Sequence, residues 1–260
     1  MVFVLDRLHE VGLEWGKDPK PPDESSTVKL HHVLIVDDGS TDGTVVAIKS
    51  WMDRVSNSSK GLSFKFSILS HSARKGYGAA LKTGIASADS DYIAFYDADG
   101  TYDPGLLPEM VRLLETNEAD MVCGDRLSRC EHMPLTREVG NRLFVGTINM
   151  LYRTRVYDSC TGMRVFTKRM QPFFLSSTLP NGLDYSLVMT FSFLRTGQKL
   201  LEVPIPYASR IGRSKLHAII DGPRFFIRIL ASWVHASAQL KQIADERRQL
   251  LQSRVISKKR

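Results

Sequence analysis

The first apolar positions of the chain, Phe3, Leu5, Leu8, Val11 and Leu13, recur at roughly helical spacing and predict an amphipathic helix over Phe3 to Trp15. A connection rich in Pro and charge follows over Lys17 to Thr27. Beyond it, short apolar runs alternate with helical patterns. Strands are predicted over His32 to Val36, Phe64 to Leu69, Tyr92 to Tyr96 and Ala119 to Cys123, with helices over Thr41 to Val55, Tyr77 to Ala88 and Pro104 to Glu115. Such alternation implies right-handed crossovers and an α/β fold, a mainly parallel sheet flanked by helices.

The later half is less regular. Helices are predicted over Glu138 to Tyr152 and Leu183 to Leu194, and a strand over Leu200 to Tyr207 is interrupted by Pro204 and Pro206. Proline cannot donate to a ladder, so this strand belongs at a sheet edge or at its exit. A long helical pattern runs from Asp221 toward Ser253, with Phe225, Phe226, Ile229, Leu230, Trp233 and Leu240 on its apolar side. The reading divides the chain into a main domain over 1–216 and a C-terminal amphipathic basic helix over 217–260.

With 260 residues, 43% hydrophobic and 24% charged, the composition is that of a globular domain and excludes general disorder. Cys123, Cys130 and Cys160 show no CxxC spacing, which argues against a disulfide framework or zinc ribbon and fits a reducing, cytoplasmic setting. No basic-then-apolar leader is present, and no uncharged apolar run reaches the ~18 residues a spanning helix requires. A soluble or peripheral chain is expected. The net charge of +7 points to an anionic partner. In the last twenty residues, however, seven cations face two carboxylates, so +5 of the excess lies in the tail. That tail lacks interleaved aromatic residues, and nucleic acid is not an expected partner.

Ligands of open parallel sheets bind beyond the carboxyl ends of the strands, so acidic residues after apolar runs are the ones to inspect. VLIVDDGSTDGT places Asp37 and Asp38 at such an end. Adjacent carboxylates repel unless a base, ribose or cation uses them. YIAFYDADGTYDP places Asp97 and Asp99 two residues apart, where both face the same side of the sheet edge. Hard oxygen ligands at this spacing suit Mg²⁺ or Mn²⁺. A tight Asp- and Gly-rich turn is the plainer reading of the triplet alone. HSARKGYGAALKTG sets Lys75 and Gly76 at a helix start, where backbone N–H groups can approach a diphosphate or simply make a turn.

These segments, in this order, resemble family 2 glycosyltransferases of the GT-A fold, in particular the branch that transfers a sugar to a polyprenyl phosphate. The resemblance covers about Val33 to Lys215. It rests on VDDGSTDGT, KGYGAALKTGI, DADGTYDP, the GDR of Gly124 to Arg126, DSCTGMRVF from Asp158, and EVPIPYASRIGRSKL from Glu202. It implies that Asp37 or Asp38 contacts the nucleotide and that Asp97 and Asp99 hold a cation on the donor diphosphate. It also implies that Arg210, Ser214 and Lys215 close over the donor phosphates. Arg126, with Arg137 or Arg142, falls where the branch carries arginines for the acceptor phosphate.

The implied reaction is inverting transfer of a hexose from a nucleotide-diphosphate sugar to a dolichyl or undecaprenyl phosphate. A phosphate acceptor is already an oxyanion and needs orientation more than deprotonation. A saccharide hydroxyl would need a base, for which Asp184 in NGLDYSL is the candidate. A nucleotide-sugar-binding scaffold without activity is the third reading. The family opens with a strand ending in a Pro-x-Tyr-Asn-Glu type motif, and nothing before Phe3 matches it; either the true start lies upstream or a gap is expected beside Val33 to Val36. Many relatives continue after the SKL segment into spanning helices. Here a basic helix is expected instead, lying on an anionic membrane surface at the cytoplasmic face or packed on protein.

Overall fold

The computed structural model describes residues 2–14, 29–57, 64–130, 133–208, 222–231 and 233–234. Helix α1 (Val2–Glu14) precedes strand β1 (His32–Asp37), helix α2 (Thr44–Ser56), strand β2 (Lys65–Ser70), helix α3 (Tyr77–Ser87) and strand β3 (Tyr92–Phe95). A 3₁₀ turn (Pro104–Leu106) then leads into α4 (Leu107–Thr116), β4 (Met121–Asp125), α5 (Leu135–Tyr152), β5 (Arg164–Thr167), α6 (Gln171–Phe174), α7 (Tyr185–Leu194) and β6 (Leu200–Pro204). A last helix, α8, occupies residues 222–231, with 233 and 234 also helical. Every predicted strand is present within a few residues of its expected bounds.

Strand β5 has no counterpart in the hydrophobic pattern. Its four residues open with Arg164, a charged residue that is completely buried. It runs antiparallel between β3 and β4, giving the order β3-β5-β4-β6, with β4 and β6 parallel. The sheet is thus mixed. Pro204 ends β6, which lies at the edge as its prolines require.

The remaining strands, β1 and β2, form a separate parallel pair. Among the described residues no strand joins β1 to β3, and both line one cleft of 1610 Å³. The consequence is visible in burial. All five residues of β4 are buried, whereas His32 to Val36 of β1 are each only partly covered and Ala94, in mid-β3, is exposed. The gap expected beside Val33 to Val36 is therefore present among the described residues.

The main core gathers Phe166, Phe174, Phe191 and Phe193 with Ile148 and Met189 between the four-stranded sheet and α3, α5 and α7. Phe225 and Ile229 of α8 join the same cluster, so the first turns of the C-terminal helix share the core of the preceding domain. Helix α1 packs through Leu5 against Ile48 and Trp51 of α2, and Val4, Leu5 and Leu8 also line the cleft. Arg210, Ser214, Lys215 and the basic tail from Leu240 to Arg260 lie outside the described residues.

Candidate active site

The cleft collects most of the candidates at the C-terminal ends of β1 and β3. Asp97 and Asp99 both line it and are half-buried. Asp97 Oδ1 accepts a 2.9 Å hydrogen bond from the hydroxyl of Tyr77, in the first turn of α3. Its other oxygen lies so close to Gly162 that a Cβ there would stand 2.4 Å away. Gly162 is itself fixed, its amide donating to Tyr102 Oη at 2.6 Å. Asp99 Oδ1 accepts from the amide of Thr101 at 3.0 Å and from its hydroxyl at 2.5 Å. Both carboxylates are thus held in place by neighbours. Burial and the Asp97 charge push the Tyr77 hydroxyl well above its ordinary value, so it remains a donor.

Two hard carboxylates at one strand end, facing a large cleft, are a donor set that fits Mg²⁺ or Mn²⁺ completed by phosphate oxygens and water. No group of three or more potential metal ligands occurs among the described residues. Among the described residues, this pair is what would hold such a cation.

Asp37 and Asp38 divide their work. Asp37 is buried and receives the Ser40 amide on both oxygens, at 3.3 and 3.2 Å. Asp38 accepts from His71 Nδ1 at 2.7 Å, from the Lys75 amide at 2.8 Å and from the Gly76 amide at 2.9 Å. Burial would raise its pKa, but His71 and the two amides outweigh it and hold the carboxyl below its ordinary range. The amides of Gly78 and Ala79 bond the carbonyls of Gly182 and Asn181. A Cβ on Gly76 would stand 2.4 Å from the Asn181 carbonyl. The four amides of this glycine turn serve intramolecular acceptors, and Gly76 permits close packing of two loops. Lys75 is exposed and does not line the cleft.

Arg126 sits at the end of β4 against Asp158. Its Nε and Nη2 donate to the two Asp158 oxygens at 2.6 and 2.9 Å, and its amide adds a third bond at 3.2 Å. Burial lowers the guanidinium's pKa, but the Asp158 charge more than compensates, and Arg126 stays charged. It lines the cleft with two donors committed. The Asp158 loop is held in turn by Glu202 of β6, whose oxygens accept the amides of Tyr157 and Asp158, each at 2.8 Å. Arg164 fixes the other side, donating to the carbonyls of Ser159, Thr161 and Ser186 and to Thr190 Oγ1.

Arg137 and Arg142 separate clearly. Arg137 lines the cleft and donates to Tyr207 Oη at 3.2 Å. Arg142 does not line it, and donates to Glu138 Oε1 at 2.8 Å and to the Leu127 carbonyl at 3.3 Å. Asp184 also lies outside the lining, 3.2 Å from Arg228 Nε on α8. Sequence reasoning missed Tyr77, Gly162, Asp158 as a partner of Arg126, His71 and Glu202. Asp158 and Glu202 each open a quoted motif, but nothing in linear spacing shows that they meet.

The glycosyl transferase family 2 model matches residues 24–172, more than half the chain. The low-salt glycan biosynthesis hexosyltransferase Agl6 of Haloferax volcanii is 35% identical over 58% of this chain and 37% of its own length. A dolichyl-phosphate hexose transferase of the same organism is 31% identical over 57% and 64%. The chain thus spans less than two thirds of the length of either relative. Among solved structures, the glucosyl-3-phosphoglycerate synthase of Mycobacterium tuberculosis with Mn²⁺, UDP-glucose and phosphoglyceric acid has a TM-score of 0.54 at 18% identity, covering 77% of this chain and 68% of that one; at that identity the likeness bears on fold alone. The strand-end carboxylates, the mixed sheet and the extent of the family match converge, and the chain belongs to glycosyl transferase family 2, with the GT-A fold.

Proposed function

We propose that the chain transfers a hexose, with inversion, from a nucleotide-diphosphate sugar to a polyprenyl phosphate with the help of Mg²⁺ or Mn²⁺. The observation that carries this reading is the shared placement of Asp97, Asp99, Arg126 and Arg137 on one cleft. Similarity to a dolichyl-phosphate hexose transferase supports the acceptor class. Asp97 and Asp99 would hold the cation, which neutralises charge gathering on the leaving diphosphate.

A phosphate oxygen of the acceptor forms the new bond to the anomeric carbon as the bond to the donor diphosphate breaks, the electron pair leaving with the diphosphate. Arg126 and Arg137 orient that acceptor phosphate, since guanidinium groups suit its geometry and charge. Asp37 marks the nucleotide end of the cleft, with Asp38 shaping its wall through the Lys75–Gly76 turn. Arg210, Ser214 and Lys215 belong with the donor phosphates on the family resemblance. Asp184 lies outside the cleft lining and is paired with Arg228, which disfavours a hydroxyl acceptor activated by that residue. No described helix is long and apolar enough to cross a membrane, and we place the enzyme peripherally on the cytoplasmic face.

The test is a panel of labelled sugar nucleotides with Mn²⁺ or Mg²⁺, with and without polyprenyl phosphate. Transfer should require the lipid phosphate and the cation and should be lost in Asp97→Ala and Asp99→Ala. Transfer to a saccharide with none to polyprenyl phosphate would reject the acceptor assignment.

A further inference from the structure

Two consecutive backbone amides, those of Tyr157 and Asp158, point at one carboxylate. Glu202, in mid-β6, accepts them on separate oxygens, Oε2 from Tyr157 and Oε1 from Asp158, each at 2.8 Å. Successive N–H groups aimed at one place form an anion cradle, and here the anion is a side chain 44 residues further along than Asp158. The residue before them is held from the other side: Asn149 of α5 accepts the Val156 amide at 2.8 Å and donates to the Val156 carbonyl at 2.9 Å. The segment 156–158 is thus pinned between α5 and the edge strand. Asp158 carries the connection onward. It is buried, takes the Arg126 guanidinium on both oxygens and accepts the Arg126 amide on one of them. Glu202 and Asp158 lie outside the cleft lining, whereas Arg126 belongs to it.

We propose that Glu202 is a positioning residue for the acceptor phosphate, its ionised carboxylate fixing the Tyr157 and Asp158 amides and, through Asp158, the direction in which Arg126 meets the ligand. The inference rests on the acceptor role given above to Arg126. An ionised carboxylate accepts on both oxygens, whereas protonation turns one oxygen into a donor facing an N–H. Protonation therefore releases one of the two amides, and Asp158 with its arginine gains freedom to turn. A guanidinium matches a phosphate only while its plane is held, so acceptor binding is the property that should respond.

The groups around Glu202 place its proton exchange near neutrality. Burial raises its carboxyl to about 7 against the two amides, and the charges of Asp125 and Asp158 add to the rise. Asp158 itself, raised by burial but lowered further by Arg126, stays ionised. On β4, Asp125 accepts the amides of Leu127 and Ser128 at 2.9 and 3.1 Å, and the Cys123 thiol, opposite Glu202 in register, is pushed up to about 12 by burial. Arg129, on the 3₁₀ turn Leu127–Arg129 that also packs on β6, is exposed to solvent. The guanidinium groups of Arg126 and Arg164 lie one partner further away, against Asp158 and Cys123. Ionisation of Glu202 acts on stability and on binding with opposite signs. As pH rises through about 7 the buried charge lowers stability, while the cradle tightens and acceptor affinity should increase. A residue that only held the fold together would weaken both.

The experiment follows the full chain by nitrogen-15 NMR and by calorimetric titration with a short, water-soluble prenyl phosphate, from about pH 5.5 to about pH 8.5. The Tyr157 and Asp158 amide signals should shift with a midpoint near about 7, and the Arg126 Nε–H signal should move with the same midpoint. Both transitions should be absent in Glu202→Gln. Over this range the affinity for prenyl phosphate should rise in wild type by about fivefold more than in Glu202→Gln, the scale of one hydrogen bond to a charged group. The rise common to both belongs to the second ionisation of the acceptor phosphate. Asp120→Asn, which neutralises a buried carboxylate just before β4, should lower the urea midpoint and leave the pH dependence of affinity as in wild type. The NMR transitions are read on wild type, so the proposal can fail even where a variant does not fold. An Arg126 signal that ignores the transition of the two amides would overturn it, as would one pH dependence of affinity shared by wild type and Glu202→Gln. Coupled transitions in a chain that binds no prenyl phosphate at any pH would reject the acceptor reading and leave the link between Glu202 and Arg126 standing.

Discussion

The hydroxyl of Tyr77 donates to Oδ1 of Asp97 at 2.9 Å, tying the first turn of α3 to the end of β3. A hydrogen bond to a charged group in a partly buried site contributes about 1.5–3 kcal/mol, and here it fixes the direction of the carboxylate proposed to meet a cation. Tyr77→Phe keeps the ring and removes the bond. Turnover at saturating Mn²⁺ should fall roughly tenfold, with the urea midpoint close to wild type; unchanged turnover would remove Tyr77 from the positioning of Asp97.

Gly162 tests the same carboxylate from its other side. A Cβ at this position would meet Asp97 Oδ2 at 2.4 Å, well inside van der Waals contact, so Gly162→Ala forces Asp97 to swing away. Calorimetric titration with Mn²⁺ and a nucleoside diphosphate should lose its heat in this variant, while Gly146→Ala, whose Cβ would meet nothing within 4 Å, should retain it. Equal heats in both variants would mean that Asp97 is not a ligand.

The alternation of apolar strands with helical patterns gave the fold class, because β1 to β4 are short apolar runs separated by helices, and β1, β3 and β4 end in acidic residues. Asp97 and Asp99 were legible for the same reason: their chemistry and their strand end both lie within a few residues. Strand β5 was not legible, since it is short and opens with the buried Arg164, whose charge is accommodated by carbonyls from Ser159, Thr161 and Ser186. Contacts formed only by folding were equally hidden. Arg126 meets Asp158 across 32 residues, and no local pattern distinguishes an arginine awaiting a phosphate from one already paired with a carboxylate. Lys75 and Gly76 left two readings open because a glycine turn that admits a phosphate and one that admits a neighbouring loop have the same sequence.

Arg137 and Arg142 were equivalent candidates in the sequence and are separable now. Arg137 lines the cleft, whereas Arg142 is bound to Glu138 and the Leu127 carbonyl. Arg137→Ala should raise the KM for a prenyl phosphate by about tenfold, in line with loss of a charge-assisted contact. Arg142→Ala should stay within about twofold, since exposed helix pairs contribute only a few tenths of a kcal/mol. The reverse order would place the acceptor phosphate on the other face of α5.

Glu202 supplies a pH dependence of known sign. Burial, opposed by the amides of Tyr157 and Asp158, raises its carboxyl from an ordinary value of 4.5 to about 7. The folded chain thus holds this proton more tightly than the unfolded chain. The group's contribution to stability is full below pH 4.5 and is lost as pH rises through about 7. Asp158 acts oppositely: burial raises its pKa, Arg126 more than offsets this, and the stability it contributes disappears as pH falls below the usual carboxylate range. Urea unfolding at stepped pH should show a decline between about pH 5 and 7 in wild type. That decline should flatten in Glu202→Gln, and a slope identical in both would assign the titration elsewhere.

The open edges of β1 and β3 make the last prediction. Both strands line the cleft, no described strand pairs with either across it, and α1 covers its outer side with Val4, Leu5 and Leu8. The unpaired backbone groups and half-covered side chains of β1 stay in contact with water, where they contribute little to stability. A short apolar strand supplied ahead of Val2, joined by a tight turn, would enter parallel to β1 and connect to it through α1 in the right-handed sense that such crossovers adopt. Burying two or three aliphatic side chains in this way is worth about 1.5–3 kcal/mol each before ordering costs. A chain extended with six residues of alternating Val and Ile should therefore melt several degrees higher and bind a nucleoside diphosphate more tightly, because the new strand walls the cleft beside Asp37. An extension carrying Pro at its central positions, unable to complete the ladder, should give neither effect. Equal melting temperatures for the two extended chains would show that the space between β1 and β3 does not accept a strand.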